Sequence, residues 1–158
     1  MARMSIDIAD SNSIKDFIFY ERFTQDEYGG LSEVEIAQIE PLSIGAAKQI
    51  HGELIPLFGK YQLLDSSVQK VKIIRCEENK GEKEIENQLL SLIANHSEDL
   101  IISWLPDTAV KVPTKIFFKH WDDFCYPSSD DVFISPISKK WILYFMHSNH
   151  FEFGLRLE

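Results

Sequence analysis

Twelve residues, His120 to Asp131 (HWDDFCYPSSDD), gather four aspartates, a histidine, a cysteine, two serines and large aromatics in one short stretch. Three chemistries can be built from such a set. A metal site would combine His120, Asp130, His147 and His150, with Asp122, Asp123 or Asp131 as further oxygen donors, a mixed set suited to zinc, manganese or iron. No H-x-x-x-H or H-E-x-x-H pair places two of these ligands on one helical turn, however, and no cofactor is implied. The plainer reading has Asp122 and Asp123 facing solvent from a short helix while Asp130 and Asp131 shape a turn.

A cysteine nucleophile would be Cys125, with His120, His147 or His150 as its base. A reactive thiol needs a helix N-terminus or cationic neighbours to lower its pKa, whereas Cys125 stands toward the end of a helical stretch beside Phe124 and four carboxylates. It reads better as a buried thiol, as does Cys76. General acid–base work by paired carboxylates fails on spacing, because adjacent aspartates point apart on helices and strands alike. Glycine-rich phosphate loops and a G-x-S-x-G elbow are missing as well. What remains is contact with another macromolecule. Asp122, Asp123, Tyr126, Asp130 and Asp131 are the candidate contact residues, since aromatic side chains dominate interface hot spots.

The elements that must position this segment are legible in outline. Ile14 to Tyr20 (IKDFIFY) suits a buried strand or a helical turn. Ser32 and Glu35 form a capping box behind Leu31, so a helix begins there and stops before Pro41. Ser43 caps a second helix with Ile44, Ala47, Ile50 and Leu54 on one face, and the two helices are expected to pair. Val68 to Cys76 reads as a half-buried strand with Val71 and Ile73 inward. A turn at Glu77 to Gly81 leads into a helix carrying Ile85, Leu89, Leu92 and Ile93. Leu100 to Leu105 and Thr108 to Val112 are strands. Pro113 opens a helical turn or two with Phe117, Trp121 and Phe124 on one face. Val132 to Ser135, Trp141 to Met146 and Phe151 to Leu155 are short strands joined tightly enough for a meander. The expectation is a single α+β domain over residues 1–158, helices packed on a mainly antiparallel sheet with a C-terminal three-stranded meander. Tyr144 and Tyr126 would form an aromatic surface if one sheet face is open, or be covered if helices pack on both.

Composition bounds the function classes. The chain has 158 residues, 44% of them hydrophobic, which supports a folded core rather than disorder. No apolar run is long enough to span a membrane, and Met1 to Asp10 lacks the apolar core of a signal peptide, so a cytoplasmic protein is expected. Two cysteines without C-x-x-C spacing offer no disulfide framework. A net charge of -9 opposes nucleic-acid binding, which needs clustered Lys and Arg. Nine acids against three bases in residues 1–40 give that stretch a net of -6, enough to steer a basic protein partner.

The run from about Lys115 to Arg156, with W-D-D-F-C-Y-P-S-S-D-D, a central Trp and a final F-x-F-G, resembles a family of small uncharacterised bacterial proteins. The resemblance spans roughly the last quarter of the chain. It implies an accessory protein of the kind carried on mobile elements such as integron cassettes, or an immunity-like protein of a toxin system, and it transfers no active site. A macromolecule-binding module is therefore the first expectation. An enzyme or metalloprotein using His120 to Asp131 is the second, and a homo-oligomer with a strand face as subunit interface is the third.

Overall fold

Seven strands form one antiparallel sheet in this computed structural model, which describes residues 14–24, 30–59, 62–63, 68–78 and 81–157. The helices are α1 (Tyr20–Thr24), α2 (Glu33–Ile36), α3 (Ile44–Leu54), α4 (Glu82–Ser91), α5 (Thr114–Lys119) and α6 (Trp121–Phe124). The strands are β1 (Glu40–Pro41), β2 (Phe58–Gly59), β3 (Gln62–Leu63), β4 (Val68–Arg75), β5 (Asp99–Leu105), β6 (Thr108–Pro113), β7 (Val132–Pro136), β8 (Trp141–Met146) and β9 (His150–Arg156). The sheet runs β1-β6-β5-β7-β8-β9-β4, every neighbouring pair antiparallel, and β2-β3 is a separate ribbon. The expected α+β class and the C-terminal meander, β7-β8-β9, are both present. Among the described residues no helix is long and apolar enough to cross a membrane.

The period of two in β8 shows why the sheet is covered on both sides. Trp141, Leu143 and Phe145 enter one core, while Ile142, Tyr144 and Met146 enter the other. Helices α4, α5 and α6 and the aromatic segment before and through α1 cover the first face, with Phe17, Phe19 and Phe23 packed around Trp104 and Phe124. Helix α3 and Phe58 cover the second. Tyr144 is therefore buried, its ring centroid 4.2 Å from that of Phe58. The open aromatic face is not formed.

Several local expectations hold for the reasons that suggested them. Ser32 accepts from the Glu35 N–H and Glu35 accepts from the Ser32 N–H, completing the capping box. Ser43 caps α3 through the Ala46 N–H, and Ile85, Leu89 and Ile93 are buried from α4 and its exit. The segment from Ile14 resolves as a 3₁₀ turn, Ile14–Asp16, leading to α1, not as a strand.

Three expectations are corrected. Helices α2 and α3 do not pair, because β1 lies between them, hydrogen-bonded to β6 at the sheet edge, and the chain rounds that edge: Leu31 and Ile39 enter one core, Leu42 and Ala46 the other. Ile44, on the first turn of α3, faces solvent, and Ala46 takes its place on the buried stripe. Strand β4 is the edge strand rather than a half-buried one. A bulge between Lys70 and Lys72 shifts its register against β9, Val71 and Ile73 are exposed, and Val68 and Ile74 supply the buried contacts. The Met1 to Asp10 stretch and the Asn79-Lys80 part of the expected turn lie outside the described residues.

Candidate functional site

Two short helices place the aspartate segment. Pro113 stands at the N-cap of α5, and the backbone of His120 departs from helical geometry, so the chain bends before α6. Phe117, Trp121 and Phe124 then anchor this bend on the sheet, and the anchoring is fixed by two indoles. Trp104 Nε1 donates to the Phe124 carbonyl at 2.8 Å, and Trp121 Nε1 to the Glu82 carbonyl at 3.1 Å.

Asp130 is spent inside the molecule. Arg22 from α1 holds it with two hydrogen bonds, Nη1 to Oδ2 at 2.6 Å and Nη2 to Oδ1 at 3.2 Å. The Arg22 guanidinium also lies 4.0 Å from the ring centroids of both Phe19 and Tyr126. The Tyr126 N–H and the Ser129 hydroxyl donate to the same carboxylate. Arg22, Asp130 and Tyr126 thus clamp α1 onto the loop after α6, with the charge buried, paired and hydrogen-bonded.

The remaining polar residues separate into other groups. Asp131 accepts from the His147 N–H and is 2.9 Å from its Nδ1, which fastens the β7 entry to the β8–β9 turn. His150 Nδ1 is 2.8 Å from the Ser148 hydroxyl. His120 Nε2 is 3.1 Å from Glu35, which also receives Lys119 at 3.0 Å. Burial pushes the Glu35 carboxyl up, but the Ser32 N–H, Lys119 and His120 outweigh it and hold it at about 2. The quartet His120, Asp130, His147 and His150 does not come together. Among the described residues no group of three or more His, Cys, Asp or Glu is placed to hold a metal ion. Burial lifts both thiols, Cys125 well above the ordinary range and Cys76, with help from Glu77, to about 11, so neither is an activated nucleophile.

Asp122 and Asp123 are placed differently. With Tyr126 they line a cleft of about 560 Å³ between α6 and the segment leading into α1, whose other walls include Ile18, Phe19, Glu21 and Arg22. Asp123 is buried at its floor. Burial, with the neighbouring Asp122 charge, raises its carboxyl to about 7. Burial likewise raises Asp122, opposed by backbone N–H groups at the start of α6 and reinforced by Glu82. Two smaller clefts adjoin: one of about 350 Å³ beside Asp130 and Asp131, one of about 250 Å³ beside Cys76 and Cys125. The five candidate contact residues therefore divide, with Asp122 and Asp123 facing the cleft, Tyr126 and Asp130 in the clamp, and Asp131 on His147.

Sequence reasoning missed Arg22 and Glu21, and read Glu35 as a helix cap without its contacts to Lys119 and His120. Arg22 is 108 positions from Asp130, and its only local signal is a base three residues after Phe19 and one before Phe23 in an otherwise acidic stretch. Fold and site together define an α+β protein whose aspartate segment is half structural clamp and half cleft wall. No protein-family model matches the chain, and no curated protein matches it.

Proposed function

We propose that this chain is a partner-binding protein of the small accessory, immunity-like kind, working without catalysis through the cleft between α1 and α6. The observation that carries the reading is the composition of that cleft. Its walls combine the carboxylates of Asp122, Asp123 and Glu21 with exposed apolar surface at Ile18, and its single lining base, Arg22, is neutralised by Asp130. Acidic walls and an apolar rim suit a basic protein segment, in keeping with the net charge of -9. The immunity-like class rests on the resemblance of the C-terminal run. A cytoplasmic setting is supported by two buried, unpaired thiols, which fit a reducing compartment.

The test is a photo-crosslinker, p-benzoylphenylalanine, placed at Ile18 on the cleft rim or at Lys48 on α3, across the sheet. In cells of the source organism, a partner crosslinked from position 18 and not from position 48 supports the reading. Crosslinks equal from both positions, or none from position 18, overturn it.

A second reading has one observation in its favour: a carboxyl titrating near 7 in an open cleft suits general acid–base catalysis. A substrate screen with D123N as control separates the two. Turnover lost in D123N supports the enzyme, and binding without turnover supports the first reading.

A further inference from the structure

Asp123 is nearly enclosed and its side chain makes no hydrogen bond within the protein among the described residues. Its side chain is 6% exposed, and the nearest basic nitrogen, His120 Nδ1, stands 3.8 Å from Oδ2, beyond hydrogen-bond reach. His120 cannot close the gap freely, because its Nε2 is engaged by Glu35. Among the described residues no donor reaches the Asp123 carboxylate; burial and the Asp122 charge alone set its titration. Nor is any fully buried side-chain nitrogen or oxygen there left without a partner, so the bare oxygens of Asp123 are those that open onto the cleft it lines. A carboxylate held this way turns its free oxygens to whatever enters the cleft, and a cationic N–H donor is the partner that best offsets its burial.

The charges around it agree. From α6 Asp122 faces the same cleft, from α1 Glu21 does, and Glu82 at the start of α4 acts on Asp122. The nearby cations are matched, Arg22 by Asp130 and Lys119 by Glu35, and the His120 Nε2 is turned to Glu35. A metal ion would require several converging ligands, and none converge among the described residues. A phosphate would meet three carboxylates. An organic cation with directional N–H donors on an alkyl stem meets neither objection, and the exposed Ile18 and Pro127 at the rim give the stem a surface to follow.

Resting on the partner-binding reading above, we propose that the cleft receives the cationic head of a lysine or arginine side chain of a protein partner, seated on the Asp123 carboxylate. The ion pair forms with the ionised acid. Below neutrality a cation entering the cleft therefore sends part of the Asp123 proton population to solvent, at most about half a proton per site near pH 6.5 and nearly none at about pH 8.5. Affinity rises with pH across that interval.

The probes are three blocked tripeptides, acetyl-Gly-Arg-Gly-amide, acetyl-Gly-Lys-Gly-amide and the neutral acetyl-Gly-Gln-Gly-amide, read by the side-chain carboxyl ¹³C signal of Asp123 and by calorimetry in buffers of different ionisation heat. The basic peptides are expected to lower the Asp123 midpoint by about one pH unit, and D123N to bind them about tenfold more weakly, while the Gln peptide does neither. D122N, which leaves the floor intact, is expected to lose less, about threefold. A midpoint unmoved by the basic peptides, or moved equally by the Gln peptide, overturns the proposal. So does a D123N variant, folded by its melting transition, that binds as the wild type does. The position-18 crosslink keeps the two failures apart: if it forms while the peptides leave Asp123 unmoved, partner binding stands and the cation seat falls; if it does not form, the broader reading falls.

Discussion

Removing the Arg22 guanidinium would leave the Asp130 carboxylate buried with two hydrogen bonds and no counter-charge. Breaking one side of such a pair is costly, so Arg22→Ala is expected to lower the unfolding free energy by about 3 kcal/mol in urea titration. Asp123 behaves in the opposite sense. A carboxyl raised from 3.8 to about 7 binds its proton more tightly folded than unfolded, so stability falls as pH climbs between those values. Asp123→Asn is therefore expected to match the wild type near pH 3.5 and to exceed it by roughly 2–4 kcal/mol at pH 8, measured as the pH dependence of thermal unfolding. These two aspartates were legible in the sequence as unusual, but their roles were not. Local spacing shows four carboxylates near a turn, whereas the partner that separates them, Arg22, arrives from across the fold. Sequence periodicity has no term for a contact of that range.

At the scale of elements, Glu35 ties α2 to the bend between α5 and α6. Its carboxyl is depressed to about 2, so its contribution is present above its ordinary value of 4.5 and is lost as pH falls from there toward 2. Glu35→Gln is expected to cost roughly 1–2 kcal/mol at pH 7 and nothing near pH 2, with circular dichroism following the acid transition. The edge strand depends on a different residue. A Cβ at Gly154 would run into the Val68 side chain, with the Gln69 carbonyl 3.2 Å away, so the glycine of the terminal F-x-F-G lets β4 lie close on β9. Gly154→Ala is expected to cost about 1–3 kcal/mol and to speed amide exchange in β4 while the β5–β7 ladder keeps its protection. Helix caps and the central strands were readable because caps are local and buried strands are apolar throughout. The fate of β4 was not, since alternation in Val71 and Ile73 looks the same whether the strand is flanked on both sides or ends the sheet.

The net charge changes meaning once the whole molecule is assembled. Of the nine acids in residues 1–40, Asp7, Asp10, Asp26 and Glu27 lie outside the described residues, while Glu35 meets Lys119 and His120 and Glu40 meets Lys111 at 3.1 Å. Glu21 instead joins Asp122 and Asp123 in one cleft, so acidity that is a hundred residues away in sequence arrives in the same place. A basic partner would feel two distinct effects. Long-range attraction to a surface of net -9 acts on encounter and is screened beyond about 8 Å at physiological salt. The ion pair at the enclosed floor acts after docking and is screened far less. Raising ionic strength from about 0.05 to 0.3 M is thus expected to slow association about tenfold with little change in dissociation. Glu21→Lys, at an exposed position, is expected to slow association about threefold without altering the melting temperature, while Asp123→Asn acts on dissociation. Stopped-flow kinetics with the crosslinked partner checks this division; a salt dependence carried by dissociation, or a Glu21→Lys variant that associates as fast as the wild type, would show that the acidic surface does not steer the encounter.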